Sequence, residues 1–244
     1  MTTTAQPTVQ EIVVPANMLP VQVTGMQAMA SKMWIPFIAM GFMIVLAALV
    51  IGVIVSVTAA DWFSFSKLTR EAAATGSDLA KEKAFIEATK AWLPPFKFLG
   101  VGMILAGVTF LLATILGALR TGGGRVQEAL GESVRLPKPP ITAQMFPMLM
   151  MMGLMVLIAA LVIGIILAVI SSGYWNHAIA TELDPAVEGS QLLGTLSTIN
   201  SIKMWLAPLK FVGMALLLSG IGLALATIVG ALRWQANRLW TMLS

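Results

Sequence analysis

Between Pro139 and Thr181 the chain carries no aspartate, glutamate, lysine or arginine, and between Met33 and Ala60 it carries none either. A helix needs about 20 consecutive apolar residues to cross the hydrocarbon core of a bilayer, where no water can satisfy an open backbone. Four stretches meet that length, at about 35–57, 98–119, 146–171 and 211–232. The chain is 58% hydrophobic and 11% charged, whereas a soluble domain is roughly 45–50% apolar and about 25% charged. A water-soluble fold would lack the polar residues to cover itself. The expectation is an all-α integral membrane protein with four transmembrane helices.

The tryptophans agree with these borders. Trp34, Trp62, Trp92, Trp175, Trp205, Trp234 and Trp240 each lie at or just beyond a proposed span end, and so does Tyr174, the only tyrosine. An amphipathic ring prefers the headgroup layer, and a soluble core would scatter its tryptophans through the apolar runs.

The spans repeat. Trp92–Arg120 and Trp205–Arg233 align without a gap and are identical at 16 of 29 positions. "AALVIG" occurs at Ala47–Gly52 and again at Ala159–Gly164. The unit is a two-span hairpin, present at roughly 35–120 and 147–233. Internal repeats constrain a fold strongly. An even number of spans per unit makes both copies enter from the same side, so the expectation is two tandem parallel-repeat hairpins forming a pseudo-two-fold bundle. The chain then divides into an extended N-terminal arm (1–32), a first hairpin (33–120), a central loop (121–144), a second hairpin (145–234) and a C-terminal tail (235–244). The arm has Pro7, Pro15 and Pro20 and no basic segment followed by an apolar core, so it does not read as a signal peptide.

Lipid offers no hydrophobic drive between helices, so small residues mark helix–helix contacts. The repeated small positions are Gly100 and Gly213, Gly107 and Gly220, Ala113 and Ala226, and Gly117 and Gly230. Thr114 and Thr227 are expected to bond back to their own helices. Pro95 and Pro208 are read as first-turn prolines, which cost no hydrogen bond there. Lys97 and Lys210 would snorkel to the headgroups, and Arg120 and Arg233 would anchor the opposite ends. With Trp34, Trp62, Trp92, Trp175, Trp205 and Trp234 they form the interfacial set. "TGGGR" (Thr121–Arg125) reads as a helix stop.

The arm, central loop and C-terminus share one side, with seven basic residues against three acidic; the hairpin connections lie opposite, with eight of each. Five of the six arginines are on the first side, so both termini are expected to face the cytoplasm of a bacterial inner (or intracytoplasmic) membrane. Each connection is expected to carry an amphipathic surface helix, from Ser77-Asp78 to about Ala91 and from Asp184-Pro185 to about Lys203.

Chemistry is sparse. There is no cysteine and one histidine, His177, which excludes thiolate sites and a bis-histidine haem within one chain. No span has a charge near its middle, which argues against ion-coupled transport. The one metal candidate is the face of Met148, Met151, Met152 and Met155, soft enough for Cu(I), with His177; packing is the favoured reading for it. No nucleophile–base pair or phosphate loop is present. The sequence therefore points to a non-catalytic membrane subunit without cofactor or nucleic-acid partner. Its partners would be the lipid bilayer and other membrane subunits or copies of itself, met by helix packing in an accessory or scaffold role. The alternative is a small homo-oligomeric transporter or channel for a neutral solute.

Overall fold

The structure is a computed structural model that describes residues 11–13, 25–131, 133–138 and 140–243. Most of the N-terminal arm lies outside the described residues. The elements are β1 (Glu11–Val13), α1 (Gly25–Ser64), α2 (Lys67–Glu71), α3 (Asp78–Ala129), β2 (Arg135–Pro137), α4 (Ile141–Trp175), a single π-turn (Ile179–Leu183) and α5 (Gln191–Leu243). α1, α3, α4 and α5 are long and apolar enough to cross a membrane. The fold is therefore helical, with four candidate spans.

Two boundaries differ from the sequence reading. α1 starts at Gly25, inside the stretch read as arm. The amphipathic segments of the hairpin connections are not separate helices, because α3 and α5 run through them without a break over 52 and 53 residues. At 1.5 Å per residue each helix is roughly 80 Å long, far more than the roughly 30 Å hydrocarbon core needs. Pro94, Pro95 and Pro208 therefore sit inside helices rather than in first turns. A proline inside a helix forfeits a hydrogen bond, and a spanning helix tolerates that where neighbours compensate by packing. α5 begins at Gln191, capped by Ser190, whose hydroxyl accepts from Leu193 N. The expected Asp184-Pro185 start is instead a turn after the π-turn. In the first connection the Ser77 hydroxyl accepts from Ala80 N, the cap expected there.

The expected stop at Thr121–Arg125 is also corrected, since α3 continues to Ala129. Thr121 bonds back to Gly117 O, and a Cβ on Gly123 would meet Gln235 Nε2 at 2.7 Å. Gln235 donates to Leu119 O at 2.6 Å. Gly123 makes room for the Gln235 side chain of α5, and the glycine run does not end its own helix.

The residues group into two compact units. The first comprises Met1–Ile38, Leu105–Met151 and Leu217–Ser244. Its core gathers Leu116, Phe146, Ala224 and Ile228 from α3, α4 and α5. β1 and β2 pair antiparallel in it, with Ile12 opposite Leu136. The buried Gln127 side chain exchanges two hydrogen bonds with the backbone of Arg135, which ties β2 to the end of α3.

The second unit comprises Ala39–Ile104 and Met152–Leu216. Its core joins Ala91 of α3, Ala160 and Leu167 of α4, and Ile199 and Leu206 of α5. The two hairpin connections meet in it. Gly76 N donates to Asn176 O, Ala178 N donates to the Thr75 hydroxyl, and that hydroxyl donates to the Glu182 carboxylate.

Candidate functional site

The glycines chosen from sequence divide into contact positions and open ones. In the second unit a Cβ on Gly100 would meet Ile44, Val45 and Gly41 O within 3.1 Å, and one on Gly213 would meet Leu157 and Gly153 O within 3.2 Å. In the first unit a Cβ on Gly107 would lie 3.0 Å from Trp34 O, and one on Gly220 would lie 3.2 Å from Phe146 O. These are close helix–helix approaches that small residues favour, tightest at Gly100 and Gly107 and looser at Gly220. Gly230 has open space around it. Ala113 packs on the core of the first unit, whereas Ala226 is exposed. Gly117 accepts the back-bond from Thr121. Thr114 and Thr227 bond to Phe110 O and Leu223 O of their own helices.

Sequence reasoning passed over a further contact glycine, Gly164 of α4. A Cβ there would meet Pro95 Cγ at 2.9 Å and Ala91 O at 3.2 Å. Its membership of the repeated "AALVIG" was the available signal. Gly52, at the same place in the first copy, touches only the tips of Lys97 and Leu93, at 3.9 and 4.0 Å.

The interfacial set is placed unevenly. Trp62 is buried and donates to Leu79 O at 3.2 Å. Lys83 Nζ lies 4.8 Å from the ring centroids of both Trp62 and Trp175, and the Arg70 guanidinium lies 4.5 Å from Trp62. The protein's own cations therefore fill this aromatic cage. A cavity of about 10 Å³ remains beside it, with the unpartnered Nε1 of Trp175 close by; this is room for one ordered water. Lys83, Lys90 and Lys203 all pair with Glu87, at 3.3, 3.0 and 3.6 Å. Trp92 stacks edge-on to Phe96, and Lys210 Nζ lies 5.4 Å from the Phe98 ring. Lys97, Trp205 and Arg233 are exposed.

The methionine face stays apart from histidine. Met148, Met151, Met152 and Met155 are all exposed on α4. About 30 Å of helix separates Met155 from Trp175, the last residue of α4 before His177. His177 Nδ1 bonds instead to Glu182. Glu182 has its pKa held below the ordinary 4.5, first by the Thr75 hydrogen bond and then by that from His177. Among the described residues no cluster of three or more His, Cys, Asp or Glu is placed to hold a metal ion.

Among the described residues of the first unit there are larger hollows. One, of about 220 Å³, lies between the ends of α3 and α5 and is lined by Gly122, Gly123, Gln127 and Gln235 among others. Another, of about 320 Å³, lies where α3, α4 and α5 meet. Arg120, Lys138, Thr142, Thr227 and Trp234 line it together with small and aliphatic residues. The sequence marked Arg120 and Trp234 as separate anchors; their convergence with Lys138 and Thr142 depends on the fold and had no local signature.

Comparison of the chain with protein-family models, with curated proteins and with solved structures finds no match.

Proposed function

We propose that the chain is a non-catalytic membrane subunit that assembles by helix packing, with further copies of itself as its principal partner. The two hairpins are read as a tandem duplication. Their contacts correspond position for position: Gly100 on Val45 and Gly41 matches Gly213 on Leu157 and Gly153, and Gly107 on Trp34 matches Gly220 on Phe146.

One observation supports assembly in particular. In the second unit the Ala91–Pro95 surface of α3 is closed by Gly164 of α4. The matching surface on α5, Met204–Pro208, is open: Ala91 is 4% exposed and Met204 82%. The residue that would close it, Gly52 of α1, makes only loose contacts elsewhere. A closed pseudo-two-fold pair would use both copies of this interface, whereas only one is used within the chain. The unused halves are complementary by descent, since each duplicates one side of a contact already made. In the first unit the same inequality recurs, with Ala106 and Thr109 buried while Ser219 is exposed and Gly222 has open space around it. Lipid alone does not account for the small and polar residues there, because the lipid-facing surface of a span is ordinarily large and apolar.

A contact of α1 from one copy with α5 of the next closes as a two-fold pair if both unused surfaces meet at once, and is heterologous if they do not. In the heterologous case it repeats into a ring or an array. Extraction from the native membrane in mild detergent tests the reading. A defined homo-oligomer, or a series of them, is the expected result. A monomer, or stoichiometric recovery only with other proteins, would overturn the choice of partner.

A further inference from the structure

We propose that the 320 Å³ hollow of the first unit is a binding site for an anionic phospholipid. The chemistry of its wall carries the inference. The inner surface is apolar and hollowed by small residues, with Leu116, Ala143, Ala226 and Ala231 lining it and Gly230 leaving open space where a side chain would stand. The hydroxyls of Thr142 and Thr227 lie 2.9 Å apart in the wall and Thr227 also bonds to its own helix, so these polar groups are satisfied. Arg120 and Lys138 both line the hollow, at the rim of this apolar wall.

A ligand for this wall needs two parts. A phosphate suits a guanidinium fork beside an ammonium. A hydrocarbon chain suits the apolar interior and would leave its own polar end at the cations. The depth agrees, since Arg120 and Trp234 stand where the second and fourth apolar runs end, which is headgroup level. Basic pockets between spanning helices at that level are where anionic headgroups are held. A free phosphate shares half of this chemistry and would leave the apolar wall empty. The cations Arg120 and Lys138 lie outside the open α5 surface, so headgroup preference reads the site separately from assembly, although Ala226 and Gly230 of its wall belong to α5.

The full-length protein, purified in a neutral detergent, is offered phosphatidylglycerol, phosphatidylcholine or inorganic phosphate, and retained lipid is counted by native mass spectrometry. Phosphatidylglycerol should be retained at least about tenfold better than phosphatidylcholine, and excess inorganic phosphate should not displace it. Arg120→Gln with Lys138→Gln should abolish that preference. Gly230→Leu, which fills the hollow without removing charge, should weaken retention of both lipids. Arg233→Gln removes one exposed charge outside the hollow and should change nothing. Equal retention of the two lipids by the unaltered protein would overturn the proposal without recourse to any variant. So would displacement by inorganic phosphate, or an equal loss in Arg233→Gln.

Discussion

At the scale of single residues, the repeated glycines do two different jobs. Gly107 faces a carbonyl of its neighbour, so Gly107→Leu must push α1 and α3 apart. Overpacking of this kind costs about 1–3 kcal/mol; a fall in the thermal midpoint of the detergent-solubilised protein checks it. A Cβ on Gly222 meets nothing within 4 Å, so Gly222→Leu should leave the midpoint of a dispersed single chain unchanged. The sequence made the contact glycines visible through their repetition. It did not distinguish Gly220, which touches Phe146 O, from Gly230, which touches nothing. Both are repeated glycines on one apolar helix, and only the position of the neighbouring helix separates them.

At the scale of elements, the span centres were legible and their ends were not. Uncharged length locates a bilayer-crossing segment because burying charge in hydrocarbon is costly. Local rules then misplace the ends. Proline pairs and a triple glycine ordinarily interrupt a helix, yet α3 passes through Pro94-Pro95 and Gly122–Gly124. There the compensation is tertiary, from Gly164 against Pro95 and Gln235 against Gly123. The docking of the two hairpin connections was equally hidden, because Thr75 and Glu182 are far apart in sequence. Glu182 titrates below its ordinary value in the fold, so its contribution is fully present above the unfolded carboxylate value and is lost as pH falls through the lower folded value. Hydrogen exchange at the Ala178 amide, which donates to Thr75, should therefore accelerate in that acidic window. Thr75→Val should make exchange fast at neutral pH, and Glu182→Gln should flatten its acid dependence. An Ala178 amide equally protected at every pH would contradict this clamp.

At the scale of the whole molecule, the likeness of Trp92–Arg120 to Trp205–Arg233 is legible in the sequence, but the different packing of the two segments is not. Sequence alone favours a closed pair, since identical surfaces are free to satisfy each other. The structure uses the Ala91–Pro95 surface and leaves Met204 and Pro208 of α5 exposed, while Leu206 between them stays in the core. Part of the difference is in residue type, since Met204 stands on α5 where α3 has Ala91, and the rest lies in packing geometry, on which composition and periodicity are silent. Adding bulk at the open surface, as in Pro208→Trp, should shift the detergent-extracted species towards single chains while the helical circular dichroism stays unchanged.

The absence of cysteine from the chain permits a direct test of α1-to-α5 assembly. Gly52→Cys and Pro208→Cys are placed on separate chains, co-expressed, and oxidised in intact membranes. The account predicts a disulfide-linked dimer from the co-expressed pair and little from either variant alone, because α1 of one copy meets α5 of the next. No cross-link from the pair, or equal cross-linking by each variant alone, would contradict it.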